Sequence, residues 1–343
     1  MKAVVYTQHG GPEVLRVQEM PVPEVGANDV LVRVRAVALN HLDLWIRNGL
    51  PRLKVAFPHI AGADVAGVVE RTGSAVKSVH EGQEVVISPG ISCGVCAACV
   101  AGEDNLCAQY AILGEHRHGG LAEYIAVPEA NILAKPPRLT FEDAAAVPLV
   151  FLTAWNMLVT NGRVGFDDTV LIWGAGSGVG SAGIQIAKVF GARVIAVAGA
   201  GWKLEKARGL GADEVINHRD QSVLEEVRRL TVRRGVDVVF DHVGAATWDT
   251  SLKSLARGGR LVTCGATSGA EGVTDIRYVF GRKLSIHGTW MGTKREMHQV
   301  MRLVEQGKLQ PVVHQVFPLE EAARAQEIME RSQHFGKLVL RVE

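Results

Sequence analysis

From about residue 140 the sequence alternates short, apolar, β-branched runs with helical stretches, and this alternation constrains the fold more than any other feature. The runs are Thr169-Val170-Leu171-Ile172-Trp173, Arg193-Val194-Ile195-Ala196-Val197, Val236-Asp237-Val238-Val239-Phe240 and Arg260-Leu261-Val262-Thr263. Helices are expected to begin near Val179, Lys203, Ser222 and Thr247. Strands with so few polar positions are buried on both faces, and helical crossovers make them parallel. The predicted class is therefore α/β, with a doubly wound parallel sheet covered by helices.

Upstream the pattern is different. Asp29-Val30-Leu31-Val32-Arg33-Val34-Arg35 alternates apolar and polar residues, as a half-buried strand does. Gly10-Gly11-Pro12 and Pro21-Val22-Pro23 punctuate it with turns. The chain reads as mostly β up to about residue 130, and Thr140 with Asp143 then resembles a helix N-cap. After a helix near residues 294–306, the strand Lys337-Leu338-Val339-Leu340 is expected to rejoin the first lobe. The predicted organisation is a β domain over 1–149, a parallel-sheet domain over 150–288 and a return over 289–343.

A length of 343 residues allows two sizeable cores. Lys+Arg is 37 and Asp+Glu is 36, for a formal charge of +1, which argues against nucleic acid as a partner. No apolar run reads as a membrane span, and no membrane partner is expected. Met1-Lys2-Ala3-Val4-Val5-Tyr6 reads as a strand and not as a leader. A cytoplasmic protein with reduced thiols is the expectation.

Cys93, Cys96, Cys99 and Cys107 have the spacing C-x2-C-x2-C-x7-C in a loop over about residues 90–110. Four thiolates this close can enclose one Zn2+ tetrahedrally, and four sulfurs leave no position for substrate, so the ion is structural. Disulfides are the alternative, but two-residue spacings suit them poorly.

Gly174-Ala175-Gly176-Ser177-Gly178-Val179-Gly180 follows a strand and opens a helix. Without Cβ atoms such a turn approaches a pyrophosphate closely, and the helix N-terminal amides meet its charge. At the end of the next strand an NAD site usually carries Asp or Glu for the ribose 2′-hydroxyl. Here stand Ala198-Gly199-Ala200-Gly201-Trp202-Lys203, with no carboxylate and with a lysine suited to a 2′-phosphate. NADP(H) is favoured and NAD(H) remains possible.

The cysteine loop, the glycine turn and the β-then-α/β order resemble the medium-chain dehydrogenase/reductase superfamily, the zinc-type alcohol dehydrogenases and quinone oxidoreductases. Gly62-Ala63-Asp64-Val65-Ala66-Gly67, Gly119-Gly120-Leu121-Ala122-Glu123-Tyr124 and Leu152-Thr153-Ala154-Trp155 carry the same resemblance. It implies a GroES-like β domain, a Rossmann domain, a cleft between them, and a homodimer or homotetramer. It places Thr153 beside the nicotinamide, the Cys264 and Thr289 backbones on the carboxamide, His41 near the cofactor phosphate, and Lys337 within approach of the cofactor. A turn histidine is an equal alternative at His41, and a surface position is the plainer reading of Lys337.

The departures from the family pattern carry the functional reading. The first ligand of the usual catalytic zinc falls at Asn40, the histidine ligand at Ala63 with Asp64 following, and the third ligand near Leu149. The proton-relay hydroxyl falls at Leu42. An alcohol yields its hydride most easily as the metal-bound alkoxide, whereas quinones and enones are already electron-poor. The resemblance therefore implies a reductase of quinones or α,β-unsaturated carbonyls. Asn40 is a candidate amide donor, Asp43 a candidate orienting carboxylate, and Trp45 stands where quinone reductases often carry Tyr. Two alternatives are an alcohol or aldehyde dehydrogenase with a second metal on His41, Asp43, His59, Asp64, His116 or His118, and an NADPH-binding protein without turnover.

Overall fold

The computed structural model describes residues 1–50 and 53–343, which form two compact units. One comprises Met1–Leu149, Thr293–Glu305 and Gln310–Glu343, and the other Val150–Gly292 with Gln306–Leu309.

The first unit is built on a seven-stranded sheet. Its order is Ile132–Ala134, Glu84–Ile87, Asp64–Thr72, Asp29–Ala38, Lys337–Arg341 and Val313–Pro318, and Tyr124–Pro128 also pairs with Asp29–Ala38. Val32, Val34, Val65, Leu121, Leu338 and Leu340 belong to one buried cluster beneath it. The alternating run at residues 29–35 is the central strand, which has neighbours on both sides. Register then decides what meets at one end of this sheet. Ala38 lies opposite Asp64 on one side and Val339 on the other. The antiparallel pairing continued by two residues brings Lys337 beside Asn40.

A helix absent from the sequence expectation, His41–Asn48, begins at that point. It is short, and it is closed at its start when the Asp43 carboxylate accepts from the Asn40 backbone N–H at 2.7 Å. Thr140 caps the helix Phe141–Ala145 by accepting from the Asp143 N–H at 3.1 Å.

The second unit is a parallel sheet of six strands, here β1 (Thr169–Ile172), β2 (Arg193–Ala198), β3 (Glu214–Asn217), β4 (Val236–Asp241), β5 (Leu255–Thr263) and β6 (Ser285–Gly288). Their order across the sheet is β3-β2-β1-β4-β5-β6, the dinucleotide-binding arrangement with its crossover at β1 and β4. Val170, Leu171, Ile172, Val194, Ile195 and Val239 are completely buried, as expected for strands covered on both faces.

One expectation is corrected here. Phe141–Asn161 is 21 residues long with a mean hydropathy of 1.4, enough by length and composition to cross a bilayer. Of its most apolar window 78% is buried within the chain, so it serves as a core helix.

Candidate active site and metal centre

The four cysteines converge. Their sulfurs lie within 4.8 Å of one another, with Cys93–Cys99 at 3.8 Å and Cys96–Cys99 at 3.5 Å. A tetrahedral ion with metal–sulfur bonds of about 2.3 Å needs sulfurs ~3.8 Å apart. These separations are far too long for disulfides, and all four thiols are free. The Val95 and Cys96 backbone N–H groups bring the Cys93 thiol down to about 6. Cys96 takes the N–H of Cys99, yet with Cys99 and Cys93 alongside it is pushed up to about 11. Thiolates so close repel one another until a cation neutralises them. The set fits one zinc ion, and no open position would remain on it.

In the second unit, Gly174–Gly180 links β1 to the helix Gly178–Val189. Gly174 has φ +57°, and a Cβ there would lie 2.7 Å from the His242 ring. A Cβ on Gly180 would lie 2.4 Å from the Gly174 carbonyl oxygen, so the helix starts directly on the turn. Ser177 caps it, its Oγ accepting from the Gly180 N–H at 2.9 Å and lying 3.1 Å from His242 Nε2. Burial holds the His242 imidazole below its ordinary value despite neighbouring Asp241. Gly174, Gly176, Ser177, Gly178, Val179 and Gly180 thus form a tight cradle with helix amides at one end, which fits a pyrophosphate.

Around this cradle the sequence candidates fare differently. Thr153 is buried, with its hydroxyl 3.8 Å from Met291 Sδ. The Thr289 N–H donates to Thr263 O at 2.8 Å, which leaves its carbonyl as the backbone group that could accept from a carboxamide. Burial and Asp241 push the Cys264 thiol up to about 12, leaving it neutral and not a nucleophile. Lys203 Nζ lies 5.4 Å from the Trp202 ring centroid, and burial together with the Arg219 charge holds its ammonium below the usual lysine value.

His218 and Arg219 were not foreseen. Ala198 lies opposite Asn217, so the ends of β2 and β3 are adjacent. A Cβ on Gly199 would be 2.7 Å from His218 Nε2 and 3.0 Å from Arg219 Nε. Gly199 therefore makes room for two basic side chains beside Lys203. The missing carboxylate at the end of β2 was the available signal, because it should have drawn attention to the next strand's end.

In the first unit, Asn40, Asp43, Asp64 and Lys337 form one buried polar cluster, 6%, 1%, 0% and 3% exposed. Lys337 Nζ donates to Asp64 Oδ2 at 2.9 Å and to Asn40 Oδ1. Asn40 Nδ2 donates to the same Asp64 oxygen at 3.0 Å, and Asp64 Oδ1 accepts from the Leu149 N–H at 2.8 Å. Asp43 accepts from the Asn40 and Gly62 backbone N–H groups, and burial raises its carboxyl to about 6.

Three corrections follow. Lys337 is not a surface residue, because a buried carboxylate compensates its charge. Asn40 directs its amide donors inward, the second toward Ala38 O at 3.4 Å, and keeps none for a ligand. The candidate second metal set does not assemble. His59 Nε2 lies 2.9 Å from Gly114 O, His118 Nδ1 accepts from the Ile60 N–H, and His116 Nδ1 from the Ile112 N–H. Asp64 is saturated, and among the described residues only the four cysteines form a group of three or more ligands. His41 and half-buried Trp45 pack ring against ring at 6.2 Å, on the same helix as Asp43.

The positions of the three usual metal ligands thus converge, and an ammonium group stands among them. Comparison with known proteins agrees with this frame. Residues 26–137 match the alcohol dehydrogenase GroES-like domain, and residues 178–306 match the zinc-binding dehydrogenase family. A solved structure described as an NAD-dependent alcohol dehydrogenase is 53% identical, covers 100% of both chains and superposes with a TM-score of 0.96. The crotonyl-CoA reductase of Streptomyces collinus is 32% identical over 94% of this chain and 80% of its own length. The quinone oxidoreductase of Sus scrofa is 30% identical over 99% and 97%. The chain belongs to the medium-chain dehydrogenase/reductase superfamily. It is an NAD(P)-dependent oxidoreductase, and the alternative of binding without turnover falls.

Proposed function

We propose that the protein reduces quinones or α,β-unsaturated carbonyls with NADPH and holds one structural zinc per chain. The observation that carries this reading is the Lys337 ammonium, 2.9 Å from Asp64 and bonded to Asn40 where the resemblance expects metal ligands. A resident cation saturates the carboxylate. Lysine donates hydrogen bonds but does not polarise an alcohol into its alkoxide as a Lewis acid does. Reduction of an electron-poor acceptor needs only such a donor at the oxygen. When bound, the nicotinamide cofactor supplies the hydride. Lys203, His218 and Arg219, with no acidic residue at the end of β2, favour a 2′-phosphate and hence NADPH.

A second reading, an alcohol dehydrogenase, is favoured by the name of the 53% identical structure. Steady-state rates separate the two. Quinones and enones with NADPH are expected to turn over faster than simple alcohols with NADP+ or NAD+, and NADPH to outperform NADH. Faster alcohol oxidation would give the second reading the site.

We also propose a homodimer or homotetramer built on β6. Among the described residues this strand pairs only with β5, and it is largely exposed. Ile276, Phe280 and Trp290 nearby are 73%, 72% and 53% exposed. An unpaired strand edge with apolar neighbours suits pairing across a two-fold axis. Sedimentation at micromolar concentration is expected to show at least a dimer, and Phe280→Asp to shift it toward monomer. A monomeric wild type would refute the assembly.

A further inference from the structure

We propose that His242 is a positioning residue for the dinucleotide, fixing the Ser177 hydroxyl so that its hydrogen is left for the pyrophosphate. This role belongs to the dinucleotide cradle of the second unit alone, whatever acceptor is reduced and whether or not the ribose carries a 2′-phosphate. β1 and β4 are neighbours, with Ile172 opposite Phe240, so the turns that follow them lie side by side. The turn after β4 is firmly held. Completely buried Asp241 accepts from the Val243 and Gly244 N–H groups at 2.8 and 3.2 Å and from the Thr247 and Ser251 hydroxyls at 2.7 and 2.6 Å. The His242 ring stands edge-on to Phe240, with centroids 6.2 Å apart, and fills the space that a side chain on Gly174 would need.

His242 Nε2 lies 3.0 Å from Trp173 O and 3.1 Å from Ser177 Oγ. A carbonyl oxygen only accepts, so Nε2 carries the ring hydrogen and Ser177 cannot donate to it. Ser177 Oγ then accepts twice, from Nε2–H and from the Gly180 N–H at 2.9 Å, which occupies both of its lone pairs. Its own hydrogen has no acceptor among the described residues. Ser177 is half-buried at the start of the helix Gly178–Val189, so this hydrogen joins the first amides of that helix as one more donor to an anion. Without Nε2–H the hydroxyl is free to rotate, and a donor that must be ordered on binding contributes less.

The test uses the full-length zinc-loaded protein as wild type, Ser177→Ala, His242→Phe, His242→Gln and the double variant Ser177→Ala/His242→Phe. NADPH and NADH binding are followed by fluorescence titration. Phenylalanine keeps the ring and removes its N–H. Affinity for each cofactor is expected to fall about tenfold in His242→Phe and similarly in Ser177→Ala, the effect of losing one hydrogen bond to a charged group. Because His242 acts through Ser177, the double variant loses no more than Ser177→Ala alone. His242→Gln, whose amide N–H can replace Nε2–H, recovers most of the affinity. A purely packing role would instead make the two losses multiply and leave His242→Gln as weak as His242→Phe, and either result overturns the assignment. Wild-type affinity in His242→Phe or in Ser177→Ala overturns it too, as does a loss confined to NADPH, which would place the effect at the 2′-phosphate. His242→Leu takes the place of His242→Phe should the latter not fold. Preference between the two cofactors is judged separately, because the variant-to-wild-type ratio is taken with each.

Discussion

Stripping the ion from the four-cysteine loop is expected to unfold that loop and lower the thermal stability of the whole first unit. Chelation under reducing conditions should release one zinc per chain, measured by elemental analysis. The loop should then become the first site of proteolysis, with cleavage near residues 90–110. Structural zinc contributes of the order of 10 kcal/mol where it alone organises a small module. Here the strands Gly90–Ile91 and Ala111–Ile112 pair at the base of the loop and share that work. The residues between them contribute little core of their own: Val95, Val100 and Leu106 are 82%, 76% and 65% exposed. Cys107→Ser is expected to reproduce the effect, because Cys107 is the buried member of the four. Retention of the protease-resistant loop after complete metal loss would show that backbone pairing alone maintains it.

The second large effect is expected at Gly180. Gly180→Leu would place a Cβ 2.4 Å from the Gly174 carbonyl and 3.0 Å from Ala175 Cα, both backbone atoms that cannot rotate away. The helix start must lift, and the Ser177 cap at 2.9 Å is lost with it. Losing one hydrogen bond from these amides to a charged pyrophosphate costs about 1.5–3 kcal/mol, or roughly tenfold to 10²-fold in affinity. NADPH affinity by fluorescence titration should fall by about that factor, while metal content and the stability of the first unit stay as in wild type. Unchanged affinity would show that the cofactor does not use this turn.

The sequence disclosed these two places because each is local. Thiol spacing over fifteen residues and a glycine run at a strand–helix junction are short-range patterns, and both survived folding intact. The parallel strands were legible for the same reason, since burial on both faces leaves an apolar run that needs no knowledge of the partner strand. The buried polar cluster was hidden because register built it. Asn40 and Lys337 each look ordinary in their own surroundings, and only the pairing of Val339 with Ala38 sets them side by side. His218 and Arg219 were obscured likewise, since their relevance depends on the end of β3 lying beside the end of β2. The helix His41–Asn48 was missed because one short amphipathic turn between strands carries too few residues to display a period.

The union of Asp64 with Lys337 spans 273 residues of chain. While the chain is folding, that carboxylate has no counter-charge until the distant strand docks, and an unpaired ion resists leaving water. The first lobe cannot seal its interior at this end from its early segments alone. The sheet of the first unit is complete only with Lys337–Arg341, which follows the whole parallel-sheet unit in sequence, so this one contact ties the last strand to the earliest segments of that unit.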